Sequence, residues 1–194
     1  MKKSYFIIVS LLTMIMLTGC LNLSGEEGVS ELRIAHNQTL DHPVHLSLVE
    51  FSRLVEENSN GNIKVKIFPN AQLGSEREVL ELTQSGAVDI AKVSASALEG
   101  FEPDYSIFSL PYLFEDYEQF EQAMNNETIT DHLYFKTEDI GIIGLTYYNA
   151  GVRNLYTKDR EVTTVEDMKG LKVRVQPSQT SVGMINALGG LPTA

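Results

Sequence analysis

A planar guanidinium offers paired N–H donors that match the two oxygens of a carboxylate. Two arginines of this chain stand where such a grip could form. Arg174 lies in Lys169-Gly170-Leu171-Lys172-Val173-Arg174-Val175-Gln176-Pro177. A strand over 171–175 that turns Val173 and Val175 inward puts Lys172 and Arg174 together on its other face. One charged hydrogen bond from Arg174 would contribute about 1.5–3 kcal/mol net. The same spacing also suits a solvated strand arginine. Arg153 follows Tyr147-Tyr148-Asn149-Ala150-Gly151-Val152. That polar and aromatic cluster sits just past a strand expected at 140–148, where ligands of α/β sheets bind, though an ordinary loop reads the same way. Three histidines gather early, at His36, His42 and His45. His42 and His45 are three apart and could share a metal, but no cysteine remains to join them and no HExxH occurs. Capping of a helix start or surface exposure is the better account, and no metal or other cofactor is expected. Nucleophile elbow, P-loop and GxGxxG patterns are also lacking, and the carboxylates are scattered, so nothing points to catalysis.

The single cysteine has a different chemistry. Met1-Lys2-Lys3-Ser4 is a basic start, and 5–17 is apolar apart from Ser10 and Thr13. As a helix this run would be about 20 Å long, short of the roughly 30 Å hydrocarbon core. A removable export signal over 1–19 fits better than a membrane span. Leu17-Thr18-Gly19-Cys20 resembles the bacterial lipobox, whose cysteine receives lipid and becomes the new N-terminus. Cys20 has no partner for an internal disulfide. The plain alternative is an export signal that happens to contain a cysteine. Residues 20–30 are polar and without period, and read as a flexible tether. Lipid on Cys20 would hold the protein at the outer face of the cytoplasmic membrane.

Positioning these groups requires regular elements. Strands are expected at 31–36, 63–68, 88–93, 140–148 and 171–175. Ile63-Lys-Val-Lys-Ile-Phe68 alternates with period two. Helices are expected at 44–57, 75–85, 117–125, 130–137 and 180–188. Val44, Leu48, Phe51 and Val55 recur at helical spacing, and Ser75-Glu-Arg-Glu78 has the spacing of a capping box. Pro111 makes 106–113 irregular, and Thr164 opens a short helical turn that ends at Gly170. Strands alternating with helices predict an α/β fold with a largely parallel sheet. The chain has 194 residues, 15 basic against 26 acidic, and a net charge of −11. The export signal carries only Lys2 and Lys3, so the rest is more acidic still. Such a surface excludes attraction to nucleic acid or to an anionic bilayer. An anionic ligand must then be drawn by a local basic site.

Taken in order, the motifs resemble a known family. They are Leu32-Arg-Ile-Ala with His42-Pro43, Asn60-Gly-Asn-Ile63, Phe68-Pro69 and Gln72-Leu-Gly74. Then come Gly86-x-Val88-Asp89, Leu110-Pro-Tyr-Leu-Phe114, Asp167-Met-Lys-Gly-Leu-Lys-x-Arg174-Val175 and Leu188-Gly-Gly-x-Pro192-Thr193. This order and spacing is similar to that of the solute-binding subunits of tripartite ATP-independent periplasmic (TRAP) transporters, the dicarboxylate-binding-protein family. The resemblance implies a periplasmic-binding-protein-like flytrap of two α/β lobes. It implies a first lobe over 31–150, and a crossover and the start of a second lobe over 151–194. The family's usual chain is longer by well over a hundred residues, so a truncated sequence is expected. The resemblance further implies a small organic acid as ligand, and small and large permease subunits as partners. It assigns the ligand's carboxylate to Arg174, a second basic contact to Arg153 and a ligand-facing place to Asn37. Tyr112, Tyr147 or Tyr148 would shape the cavity. Sialic-acid-binding members carry a glutamate after the third strand where this chain has Ser94, which argues against that ligand. After Arg174 the family often shows Val-Pro, and here Val175-Gln176-Pro177 stands instead. Two other readings stay open: the same domain presenting its ligand to a signalling receptor, and an exported hydrolase whose nucleophile would lie downstream.

Overall fold

The computed structural model describes residues 28–193. The segment read from sequence as an export signal, Cys20, and most of the stretch read as a tether lie outside the described residues. The first strand, β1 (Ser30–His36), becomes progressively buried along its length, and its last three residues are fully inside. Helix α1 (Pro43–Asn58) follows. Pro43 suits the first helical turn, whose N–H has no intrahelical partner, and His42 caps it by accepting the Val44 N–H on Nδ1 at 3.1 Å. Strand β2 (Ile63–Phe68) comes next, with Lys64 and Lys66 on its exposed side. Helix α2 (Glu76–Gln84) opens with a full capping box: the Ser75 hydroxyl accepts from Glu78 N–H, and the Glu78 carboxylate accepts from Ser75 N–H at 2.7 Å. Strand β3 (Ile90–Lys92) completes a parallel sheet of order β2-β1-β3. Its core joins Ala35, Val79 and Val88 with Phe68, Leu73, Leu82 and Ala91. Burying each large aliphatic side chain there stabilises by about 1.5–3 kcal/mol.

A short helix α3 (Ala95–Leu98), a 3₁₀ turn (Pro103–Ser109), and helices α4 (Tyr117–Met124) and α5 (Glu127–Phe135) lead away from this sheet. A second parallel pair forms later from β4 (Lys172–Arg174) and β5 (Leu191–Thr193), with α6 (Gln179–Ala187) between them in sequence. It has its own core of Met168, Val173 and Ile185, flanked by Val162, Leu171, Val175, Met184 and Leu188.

The structure corrects three sequence expectations and adds one strand. The strand expected at 140–148 is absent: a 3₁₀ turn at Glu138–Ile140 is followed by chain without regular structure. That stretch has strand-forming residues but no strand beside it, and such propensity is realised only on a paired surface. It lies instead against α5, where Gly144 N–H donates to the Tyr134 carbonyl at 2.8 Å. A Cβ at Gly144 would come within 2.9 Å of Tyr134 Cα, so glycine is what permits this approach. Strand β3 is shorter than 88–93 because the Asp89 carboxylate takes the Arg33 backbone N–H at 2.7 Å. Helix α5 starts before residue 130 because Asn126 caps it, accepting from Thr128 N–H at 3.0 Å. Strand β5 was not expected from sequence. Pro192 lies inside it, and proline is compatible only with an edge strand, which β5 is in this two-stranded sheet.

Candidate ligand site

The carboxyl ends of β1 and β3 converge on one side chain. Glu76, the first residue of α2, accepts on Oε1 from Asn37 Nδ2 at 3.0 Å, from Ser94 N–H at 3.0 Å and from Ser94 Oγ at 2.9 Å. Asn37 directly follows β1, and Ser94 stands just before α3 and beyond β3, its hydroxyl turned to Glu76 rather than to the helix. The capping box places Glu76 here, since Ser75 fixes where α2 begins. Gln38 Nε2 donates in turn to Asn37 Oδ1 at 3.1 Å. Two backbone bonds brace the loop: Ala71 N–H to the His36 carbonyl at 3.1 Å and Asn70 N–H to the Gln38 carbonyl at 3.0 Å. Both donors have positive φ, 55° at Ala71 and 54° at Asn70, a conformation that costs a non-glycine residue about 1–3 kcal/mol and clusters at functional sites. Lys92, half-buried at the end of β3, completes the group. Burial lowers its pKa below the usual lysine range, with the nearby Glu76 charge opposing.

Behind this edge lie His36 and His45, both buried, with His36 Nε2 and His45 Nδ1 3.0 Å apart. His42 and His45 do not meet at a common metal position: the Nδ1 of His42 caps α1 and that of His45 faces His36. Among the described residues no group of three or more metal-ligating side chains comes together.

Arg174 ends β4 with its side chain exposed, while Val173 is buried and Val175 half-buried, as the alternation of the strand predicts. It lines a groove of about 520 Å³ together with Lys158, Arg160, Lys172, Asn154 and Tyr156. Four cationic side chains against one carboxylate, Asp159, leave this groove net basic in an acidic protein. Arg153 is exposed in the preceding irregular segment and is not among the groove's lining residues. Tyr148 is tied to α1 through its hydroxyl, 3.0 Å from Ser47 Oγ. Tyr147 packs edge-on against Phe120 at 6.0 Å. Tyr112 is 99% exposed with φ 57°. The structure thus brings Asn37 and Ser94 together, and leaves Arg174 and Arg153 on the later segment. Sequence reasoning missed Glu76 as the link, although the capping-box spacing had already located it at a helix start beside the sheet.

The model for the bacterial extracellular solute-binding proteins, family 7, matches residues 34–194. The protein YiiZ of Salmonella typhimurium is 41% identical over 167 residues, covering 86% of this chain and 51% of the relative. A C4-dicarboxylate-binding periplasmic protein of Rhodobacter capsulatus is 33% identical, covering 83% of this chain and 48% of the relative. The chain therefore spans about half the length of these relatives. Among solved structures, a TRAP periplasmic solute-binding protein of Anaerococcus prevotii with bound D-glucuronate superposes with a TM-score of 0.82. It is 38% identical and the match covers 84% of this chain and 53% of that one.

Proposed function

Because the chain belongs to the family-7 bacterial extracellular solute-binding proteins, we propose that the whole protein captures a small organic acid outside the cytoplasm and delivers it to a TRAP-type permease. The observation that carries this reading is the placement of Arg174. An exposed guanidinium ends a parallel strand and lines a basic groove, where α/β sheets bind ligands. Arg174 takes the ligand's carboxylate, and Arg153 adds a second cation from the neighbouring segment. Asn37 and Ser94 face the ligand from the first sheet, with Glu76 between them. A carboxylate there accepts hydroxyl donors and repels a second carboxylate, which favours a hydroxylated acid such as a uronate or an aldonate over a plain dicarboxylate. The D-glucuronate held by the Anaerococcus relative supports the same class.

The lobes divide near residue 150, in keeping with two separate hydrophobic clusters, and ligand contact with both lobes favours their closure. Lipid on Cys20, read from Leu17-Thr-Gly-Cys20, tethers the protein beside its permease. Stable anchoring takes more than one acyl chain or a second signal. Replacing Cys20 by serine is expected to release the protein from the membrane fraction, and unchanged retention would rule the tether out.

Calorimetric titration of the full-length natural protein with D-glucuronate, D-galactonate and succinate tests the binding function. At least one of them should bind. Arg174→Ala should weaken it by about 10- to 100-fold, the loss of one charged, oriented contact. Absence of binding by any organic anion, or an unchanged affinity in Arg174→Ala, overturns the carboxylate reading.

A further inference from the structure

His36 Nδ1 accepts the Gln38 backbone N–H at 3.0 Å, so that nitrogen carries no hydrogen. The proton of the neutral ring is then on Nε2, which donates to His45 Nδ1 at 3.0 Å. His45 Nδ1, as the acceptor, is also unprotonated. The two rings form a directed relay from α1 through the end of β1 to the backbone that presents Asn37 and Gln38. No position in this relay has room for another proton. A proton on His36 Nδ1 would face the Gln38 N–H, and one on His45 Nδ1 would face His36 Nε2–H. Each case sets two donors against each other inside the protein, where an unsatisfied polar group costs about 1–3 kcal/mol.

The charges around the pair act in the same direction. The His36 ring meets His45 of α1 at 3.0 Å, with His42, the cap of α1, and Lys92 of β3 close enough to act on it. The anion contributed by α2, Glu76, is hydrogen-bonded to Asn37 and Ser94 and lies beside Lys92. Burial first, then His45, Lys92 and His42, push the His36 pKa below its ordinary value.

We propose that His36, seated against His45, is an acid-sensitive release device: while its ring is neutral it holds Asn37 and Gln38 in place, and protonation of His36 uncouples that loop from the Glu76 node and lets the ligand go. The device rests on the ligand reading given above, in which Asn37 faces the ligand. His36 is here a positioning residue and does not touch the ligand. The sign follows from linkage. A group whose folded pKa is depressed contributes stability that is present above the unfolded value, about 6.5 for histidine. That stability is lost as pH falls through the lower folded value. Release therefore belongs to the acid side of neutrality.

The test uses the full-length natural protein with D-glucuronate, D-galactonate and succinate as probes, titrated at pH 7.5 and pH 5.0. Affinity in the wild type is expected to fall about tenfold or more, the equivalent of one unit of pKa coupling. His36→Asn keeps an acceptor for the Gln38 N–H but cannot titrate, so its affinity should be nearly the same at both pH values. His36→Gln, which keeps a donor towards His45, serves if the asparagine variant does not fold. A second readout needs no ligand. In the free wild-type protein, the Gln38 amide and the Asn37 side-chain amide should shift in NMR spectra with the same midpoint as the His36 ring, and Gln38 should lose exchange protection. Equal wild-type affinity at the two pH values, or a His36→Asn response as steep as that of the wild type, overturns the device. So does a Gln38 amide indifferent to the His36 titration. If no probe binds at pH 7.5, the ligand reading fails, and the NMR titration alone still decides whether the histidine pair governs the loop.

Discussion

Glu76 Oε1 carries three hydrogen bonds from two loops, which makes it the residue on which the first-sheet side of the site turns. Replacing it with alanine leaves the Ser94 N–H and the Asn37 amide without an acceptor. Glu76→Ala is expected to cost about 1–3 kcal/mol, read as a lower urea midpoint, and Glu76→Gln, which keeps an acceptor oxygen, should cost less. Equal midpoints for wild type and Glu76→Ala would show that the node contributes nothing. Arg174 was legible at this scale because period-two alternation alone decides which face of a strand it occupies. Glu76 was not, because its partners are 39 and 18 residues away in sequence, and no local pattern encodes that meeting. The histidines fall between: of the two readings open for His42 and His45, helix-start capping holds for His42, while His45 is buried rather than exposed, and its contact with His36 depends on how α1 lies across the sheet.

Among the elements, a complete local instruction was read correctly for α2, whereas the lone Asn126 cap of α5 was missed. Helix α2 has its start written into Ser75 and Glu78, and the reciprocal bonds are present. The Glu78 carboxyl is held below its usual pKa by the Ser75 backbone and hydroxyl donors. Ser75→Ala should lower stability by about 1 kcal/mol, with an unchanged dependence on denaturant concentration. A loss near zero would mean that water replaces the cap without penalty. Because Glu76 is the next residue, the same change should also raise hydrogen exchange at Ser94. The expected strand at 140–148 shows the opposite case. Its β-branched and aromatic residues describe a half-buried extended surface, but a strand also needs a neighbour to pair with, and α5 took that place through Gly144.

At the scale of the whole molecule, Glu99 joins the end of α3, which follows the first sheet, to α6, the helix between the two strands of the second. Its Oε1 accepts from Thr180 N–H and Thr180 Oγ1, each at 2.9 Å, at the start of α6. Its other oxygen is buried without a partner among the described residues, near the Ser109 and Ser178 hydroxyls. Glu99→Ala is expected to speed hydrogen exchange of the Thr180 amide by about tenfold, the worth of one lost acceptor, while Glu99→Gln should stay close to wild type. Unchanged exchange in Glu99→Ala would mean that this contact does not hold α6. The apolar face of α1 carries Leu46, Val49 and Leu54 at 56%, 47% and 41% exposure, more open surface than a helix over a closed core usually shows. The sequence by itself determined the alternation of strands and helices, the cap of α2, the outward face of Arg174 and the family, because each depends on residues close in the chain or on a linear order of motifs. Only the tertiary structure decided the Asn37–Glu76–Ser94 node, the approach of His36 to His45 and the Glu99 link to α6. Those depend on side chains that approach within about 3 Å only after parallel strands and their crossover helices have packed, and chain separation carries no record of that distance.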